Sequence, residues 1–94
     1  MTRQEVITAI ESEVDRAYHK HGRDPWGRHE FYGVIMEEIV EMQDEIFKGG
    51  TIPFDRNKMI EEIISVAAMC LRYLETGDRY LDAEQPAYLR KIMD

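Results

Sequence analysis

Ten residues, Met36 to Glu45, hold five acids: Glu37, Glu38, Glu41, Asp44 and Glu45. Ile35, Ile39, Met42 and Ile46 recur between them at helical spacing, so the stretch reads as an amphipathic helix. Glu38, Glu41 and Glu45 fall at i, i+3 and i+7 and share a face. Like charges stacked in this way repel and weaken an isolated helix. A hard divalent cation such as Mg²⁺ reverses that penalty, because its ligands of choice are carboxylate oxygens. A solvated acidic face is the plain alternative. A second acidic pair, Glu61 and Glu62, opens a strongly apolar helix, where the acids border residues that should be buried.

The elements that must position these acids follow from local signals. Thr2 and Glu5 form a T-x-x-E capping box at the start of a first helix. Val6, Ile10, Val14 and Tyr18 make its apolar stripe, widened by Ile7 and Ala17. His19, Lys20 and His21 suit the negative end of its dipole, and Gly22 stops it, so the helix runs to about Lys20. A loop, GRDPWGRHE, follows, and Trp26 within it is there to pack, on the core or on a ligand. The second helix spans about His29 to Lys48 and ends at Gly49 and Gly50. Pro53 keeps the connection non-helical. Asp55 is the expected N-cap of a third helix that runs to about Glu75. Between Ile63 and Leu71 only Ser65 is polar, so this helix must be covered on most sides. A monomer of this length covers it poorly, which predicts a homodimer or homotetramer with an interface over the third helix. Gly77 marks a turn, and Pro86 opens a short C-terminal helix carrying Tyr88, Leu89 and Ile92. The expected fold is all-α: one domain, residues 1–94, forming an antiparallel helical bundle.

Two long helices joined by a short loop pack antiparallel. Glu41 and Glu62 then lie at similar distances from the turn and face one another. Without a cation that arrangement raises carboxylate pKa values or pushes the helices apart.

The pattern E-E-x-x-E on one helix, here Glu37-Glu38-Ile39-Val40-Glu41, precedes Glu62-Ile63-Ile64-Ser65 on the next. It resembles the E-E-x-x-E and E-x-x-D signature of the MazG-like all-α nucleoside triphosphate pyrophosphohydrolases. The resemblance covers the second and third helices, about half the chain. The run Val66-Ala67-Ala68-Met69 is similar to the small-residue segment of phage-type members. The chain departs from the signature at Ser65, where the family has aspartate. The lysine that often precedes the second motif falls at Met59, one position after Lys58.

The resemblance implies Mg²⁺-dependent cleavage of a nucleoside triphosphate to the monophosphate and pyrophosphate, with Mn²⁺ as a substitute metal. It implies Glu38, Glu41, Glu62 and Ser65 as the metal set. Glu37, Glu38 and Glu41 are the catalytic candidates, with Glu37 or Glu45 as outer ligand or general base. A hydroxyl at position 65 removes one negative charge, which weakens ion binding or lowers the number of ions held. A family member that has lost catalysis, and serves as a nucleotide-binding, metal-binding or helical interaction module, is the alternative.

Further groups carry two readings each. Trp26 and His29 would line a nucleobase pocket or else pack an N-terminal helix turn. Arg56, Lys58, Arg72 and Arg79 would meet phosphates or else remain surface bases, and Tyr80 joins a site only if the tail folds back. His19 and His21, two apart on a helix, do not share a face and are dipole partners rather than a metal pair. Cys70 lies in an apolar run without a basic neighbour and reads as a core residue.

The net charge is −7, with 19 acids against 12 Lys and Arg, which disfavours direct binding to nucleic acid or to an anionic membrane. No apolar run approaches the roughly 20 residues of a membrane span. One cysteine and a polar, amphipathic N-terminus predict a cytoplasmic protein without a signal peptide. With no glycine-rich phosphate loop in the chain, nucleotide binding would have to be led by metal.

Overall fold

A computed structural model describes residues 1–48, 53–76 and 92. Its long elements are α1 (Arg3–His21), α2 (Arg28–Ile46) and α3 (Arg56–Thr76), and no strand occurs among the described residues. The all-helical expectation holds there. α2 ends at Ile46 with Phe47 as its C-cap, two residues short of the expected Lys48 and ahead of the expected glycine stop. Gly49 and Gly50, the turn at Gly77, the helix at Pro86, and Arg79 and Tyr80 lie outside the described residues.

Local chemistry sets the helix ends. At the start of α1 the Glu5 amide donates to Thr2 Oγ1, and the Thr2 amide donates to Glu5 Oε1, each at 3.1 Å. Two orphan donors of the first turn are thereby satisfied. Gly22 ends α1 at φ 81°, its amide donating to the Tyr18 carbonyl at 2.8 Å. A side chain at that φ would be strained, so glycine is the residue the turn requires. The Lys58 amide donates to Asp55 Oδ1 at 3.1 Å, which makes Asp55 the cap of α3.

The arrangement has α3 in the middle. It packs on both α1 and α2, whose backbones stay apart from each other. Phe31 stacks on Tyr73 with ring centroids 4.2 Å apart, while Glu41 lies by Glu62 at the opposite end. Helices α2 and α3 therefore run antiparallel. Tyr18 and Gly22, late in α1, meet Arg72, late in α3, so those two helices run the same way.

The core forms where α1 crosses α3. Val14, Ala17, Tyr18, Ala68 and Met69 are buried, and Ile10, Trp26, Val34, Ile35 and Leu71 pack around them. Ala68 is fully enclosed, and its small side chain allows the helices to approach closely there. The apolar surface of α3 is only partly covered within one chain: Ile63 and Leu74 are exposed. Tyr32, Met36 and Val40, at i, i+4 and i+8, form an exposed apolar stripe on α2. Among the described residues no helix is long and apolar enough to cross a membrane.

Candidate metal centre

Because the backbones of α1 and α2 stay apart on the flanks of α3, they leave a groove of about 1220 Å³ between them. Its floor is one stripe of α3: Glu62, Ser65, Met69 and Arg72. Glu13 and Arg16 of α1 form one wall, and Val34, Glu37, Glu38 and Glu41 of α2 form the other. The loop carrying Asp24, Pro25 and Trp26 closes one end. The volume exceeds the roughly 300–1,000 Å³ usual for small-molecule sites, as suits an open groove.

Three of the predicted ligands converge. Glu38, Glu41 and Glu62 each place one carboxylate oxygen within 4.8 Å of the other two. The antiparallel hairpin brings this about, since two of the acids stand on α2 and the third faces them from α3. Glu38 and Glu62 are half-buried and Glu41 is exposed. Burial pushes the Glu38 carboxyl above its ordinary pKa, and the charges of Glu41, Glu62, Glu13 and Glu37 push it further. Burial likewise raises Glu62, followed by the neighbouring Glu41, while Lys58 acts in the opposite direction.

This donor set fits a hard divalent ion. All three groups are carboxylates, the ligands that Mg²⁺ and Mn²⁺ share. Ser65 is half-buried and lies one turn beyond Glu62 on the same groove floor. Glu37 is exposed beside Glu38 on the groove wall.

The other predicted residues are dispersed. Trp26 lines the groove, and it also packs on the core and beneath the Arg72 guanidinium, 4.1 Å from its ring centroid. His29 is exposed and lies outside the groove lining. Lys58 is exposed on the first turn of α3, where its charge reaches Glu62 without forming a groove wall. Glu45 is buried and accepts from Lys48 Nζ at 2.8 Å, while its Oε2 is sealed without a partner.

Two features go beyond the sequence reading. Arg72, one of four bases given both readings, is buried at 3% exposure. Its position three residues after Met69 and seven after Ser65, within a strongly apolar helix, was the available signal. The Glu13–Arg16 pair of α1 also lines the groove, and Glu13 adds a fourth acid close to Glu38.

Comparison of the chain with protein-family models, curated proteins and solved structures finds no match.

Proposed function

We propose that this protein is a Mg²⁺-dependent nucleotide pyrophosphohydrolase of the MazG-like kind, acting on cytoplasmic (d)NTPs to yield (d)NMP and pyrophosphate. The observation that carries the reading is the convergence of Glu38, Glu41 and Glu62 from two facing helices beside a groove with room for a nucleotide. The motif Glu37-Glu38-x-x-Glu41 with Glu62 agrees with it.

In this reading Glu38, Glu41 and Glu62 hold the metal, with Ser65 as a neutral oxygen ligand or a partner to a bound water. Bound there, Mg²⁺ neutralises phosphate oxygens and lowers the cost of charge developing on them. Glu37 is the general base: its exposed carboxylate accepts a proton from the attacking water. The water oxygen forms the new bond to phosphorus, and the bridge between the α- and β-phosphates breaks. Arg16, on the opposite wall, supplies a fixed positive charge toward the phosphates. The exposed stripe of Tyr32, Met36 and Val40 and the uncovered Ile63 and Leu74 are the surfaces through which the chain would pair as a homodimer or homotetramer.

Ser65 favours a second reading, in which the fold binds nucleotide or metal without turnover. Pyrophosphate release from a panel of NTPs and dNTPs separates the two, with Glu41→Gln and Ser65→Asp run beside the wild type. Release by the wild type that Glu41→Gln abolishes supports the enzyme. A silent wild type and an active Ser65→Asp support the binding protein. Silence from both refutes the hydrolase reading.

A further inference from the structure

Arg72 is a buried cation without an ion-pair partner among the described residues. Its guanidinium carbon lies 4.1 Å from the Trp26 ring centroid and 5.4 Å from that of Tyr18. Its Nη2 donates to the Gly22 carbonyl at 3.1 Å. Among the described residues no carboxylate pairs with it, and the nearby Glu75 is engaged by Arg23 at 3.6 Å. Buried arginines are ordinarily paired, because an isolated buried charge is costly. Arginine has five N–H donors and no acceptor, and its charge is permanent. One donor is accounted for by Gly22. None of the Arg72 nitrogens is sealed without a partner, and the residue lines the groove.

Arg72 also has a defined place relative to the acids. It lies ten residues beyond Glu62 on the stripe of α3 that floors the groove, about 15 Å along the helix axis. One end of the groove therefore suits a cation, and the other offers a donor-only fork beside an indole. A ligand that spans it carries a metal-binding anion at one end and hydrogen-bond acceptors at the other. This step rests on the nucleotide reading: with the phosphates at the acids, the base lies by Trp26 and Arg72.

We infer that Arg72 is a specificity-determining residue that selects nucleotides whose base turns a keto oxygen toward it. Guanine offers O6 and N7, and thymine offers O4, whereas adenine and cytosine place an amino group at the corresponding position. An amino group there would set N–H against N–H and leave a desolvated guanidinium unsatisfied.

The test uses the full chain, with dGTP, dTTP, dATP and dCTP compared for the wild type and Arg72→Lys. Lysine keeps the charge and the aliphatic stem but loses the planar fork. In the wild type, kcat/KM for dGTP and dTTP should exceed that for dATP and dCTP by about tenfold or more. The variant should lose most of that ratio, the four substrates falling toward parity. A residue that merely braced the fold would lower all four rates together, and that result overturns the inference. Calorimetric titration of the wild type with dGMP, dTMP, dAMP and dCMP is the second arm, and it is independent of turnover and of how the variant folds. Tighter binding of dGMP and dTMP supports the inference even if no triphosphate is hydrolysed, a case in which the hydrolase reading alone would fail. Equal binding, or none, overturns it.

Discussion

Replacing Glu62 with glutamine keeps the shape of the side chain and removes one of three mutually repelling charges. The three oxygens lie within 4.8 Å of one another, so each pair repels by about 0.9 kcal/mol at the dielectric of water and by about 3.5 kcal/mol at an effective dielectric of 20. Glu41 is exposed, so its pair with Glu62 falls near the lower figure, and salt screens it further. Glu38 is half-buried, which puts its pair somewhat higher. Glu62→Gln should therefore stabilise the metal-free protein at pH 7 by roughly 1–2 kcal/mol, a rise in Tm of about 4–8 °C per kcal/mol for a domain of this size. The sign reverses with divalent ion. An ion that binds only the native state adds about 2.7 kcal/mol at one hundred times its Kd, and the variant, short of one ligand, should gain much less.

The pH dependence supplies an internal control. Burial and neighbouring acids raise the native pKa of Glu62 above its unfolded value. The native state then binds the proton more tightly, so the stability contributed by protonation is complete below the unfolded pKa of about 4.3 and is lost as pH rises through the raised native value. The advantage of Glu62→Gln over the wild type should accordingly be full at pH 7 and vanish near pH 4. Thermal melts in EDTA and in MgCl₂ at both pH values measure all of this. A variant that melts below the wild type in EDTA at pH 7, or that keeps the whole Mg²⁺ response, would refute the reasoning.

Two further perturbations probe the frame around the site. Lys48→Met removes the one hydrogen-bond partner that the buried Glu45 carboxylate has among the described residues and should cost about 1–3 kcal/mol in urea unfolding. Adding Glu45→Gln should recover much of that loss, and a double variant no better than the single would show that the pair does not matter. Ala68→Leu forces three extra carbons into a fully enclosed position between α1 and α3, for an expected loss of about 1–3 kcal/mol, read as a lower midpoint at unchanged m-value.

The helix ends and the acid pair were legible in the sequence because they depend on local chemistry. The Thr2–Glu5 capping box, the stop at Gly22 and the Asp55 cap each involve residues within four positions of one another. The meeting of Glu41 with Glu62 also follows from local information, since a short connection forces the two helices antiparallel and both acids lie equally far from it. Helix bounds expected at about Lys20, His29 and Glu75 fall one residue away at His21, Arg28 and Thr76, and the end expected at Lys48 falls at Ile46.

What tertiary structure decided concerns groups whose environment is set by helices distant in sequence. Glu41 and Glu45 share a face one turn apart, yet Glu41 stands exposed at the groove and Glu45 is buried outside its lining, so their position along α2 and not their rotation separates them. Arg72 reads as a surface base until the end of α1 and the Trp26 loop close over it. Glu13 and Arg16 carry no motif and become a groove wall only because α1 and α2 pack on opposite flanks of α3. By itself the sequence determined which helices form, where they stop and which acids oppose one another. The groove, the buried arginine at its far end and the wall opposite the acids arise from helix crossings between segments far apart in the chain, where burial rather than local spacing sets the chemistry.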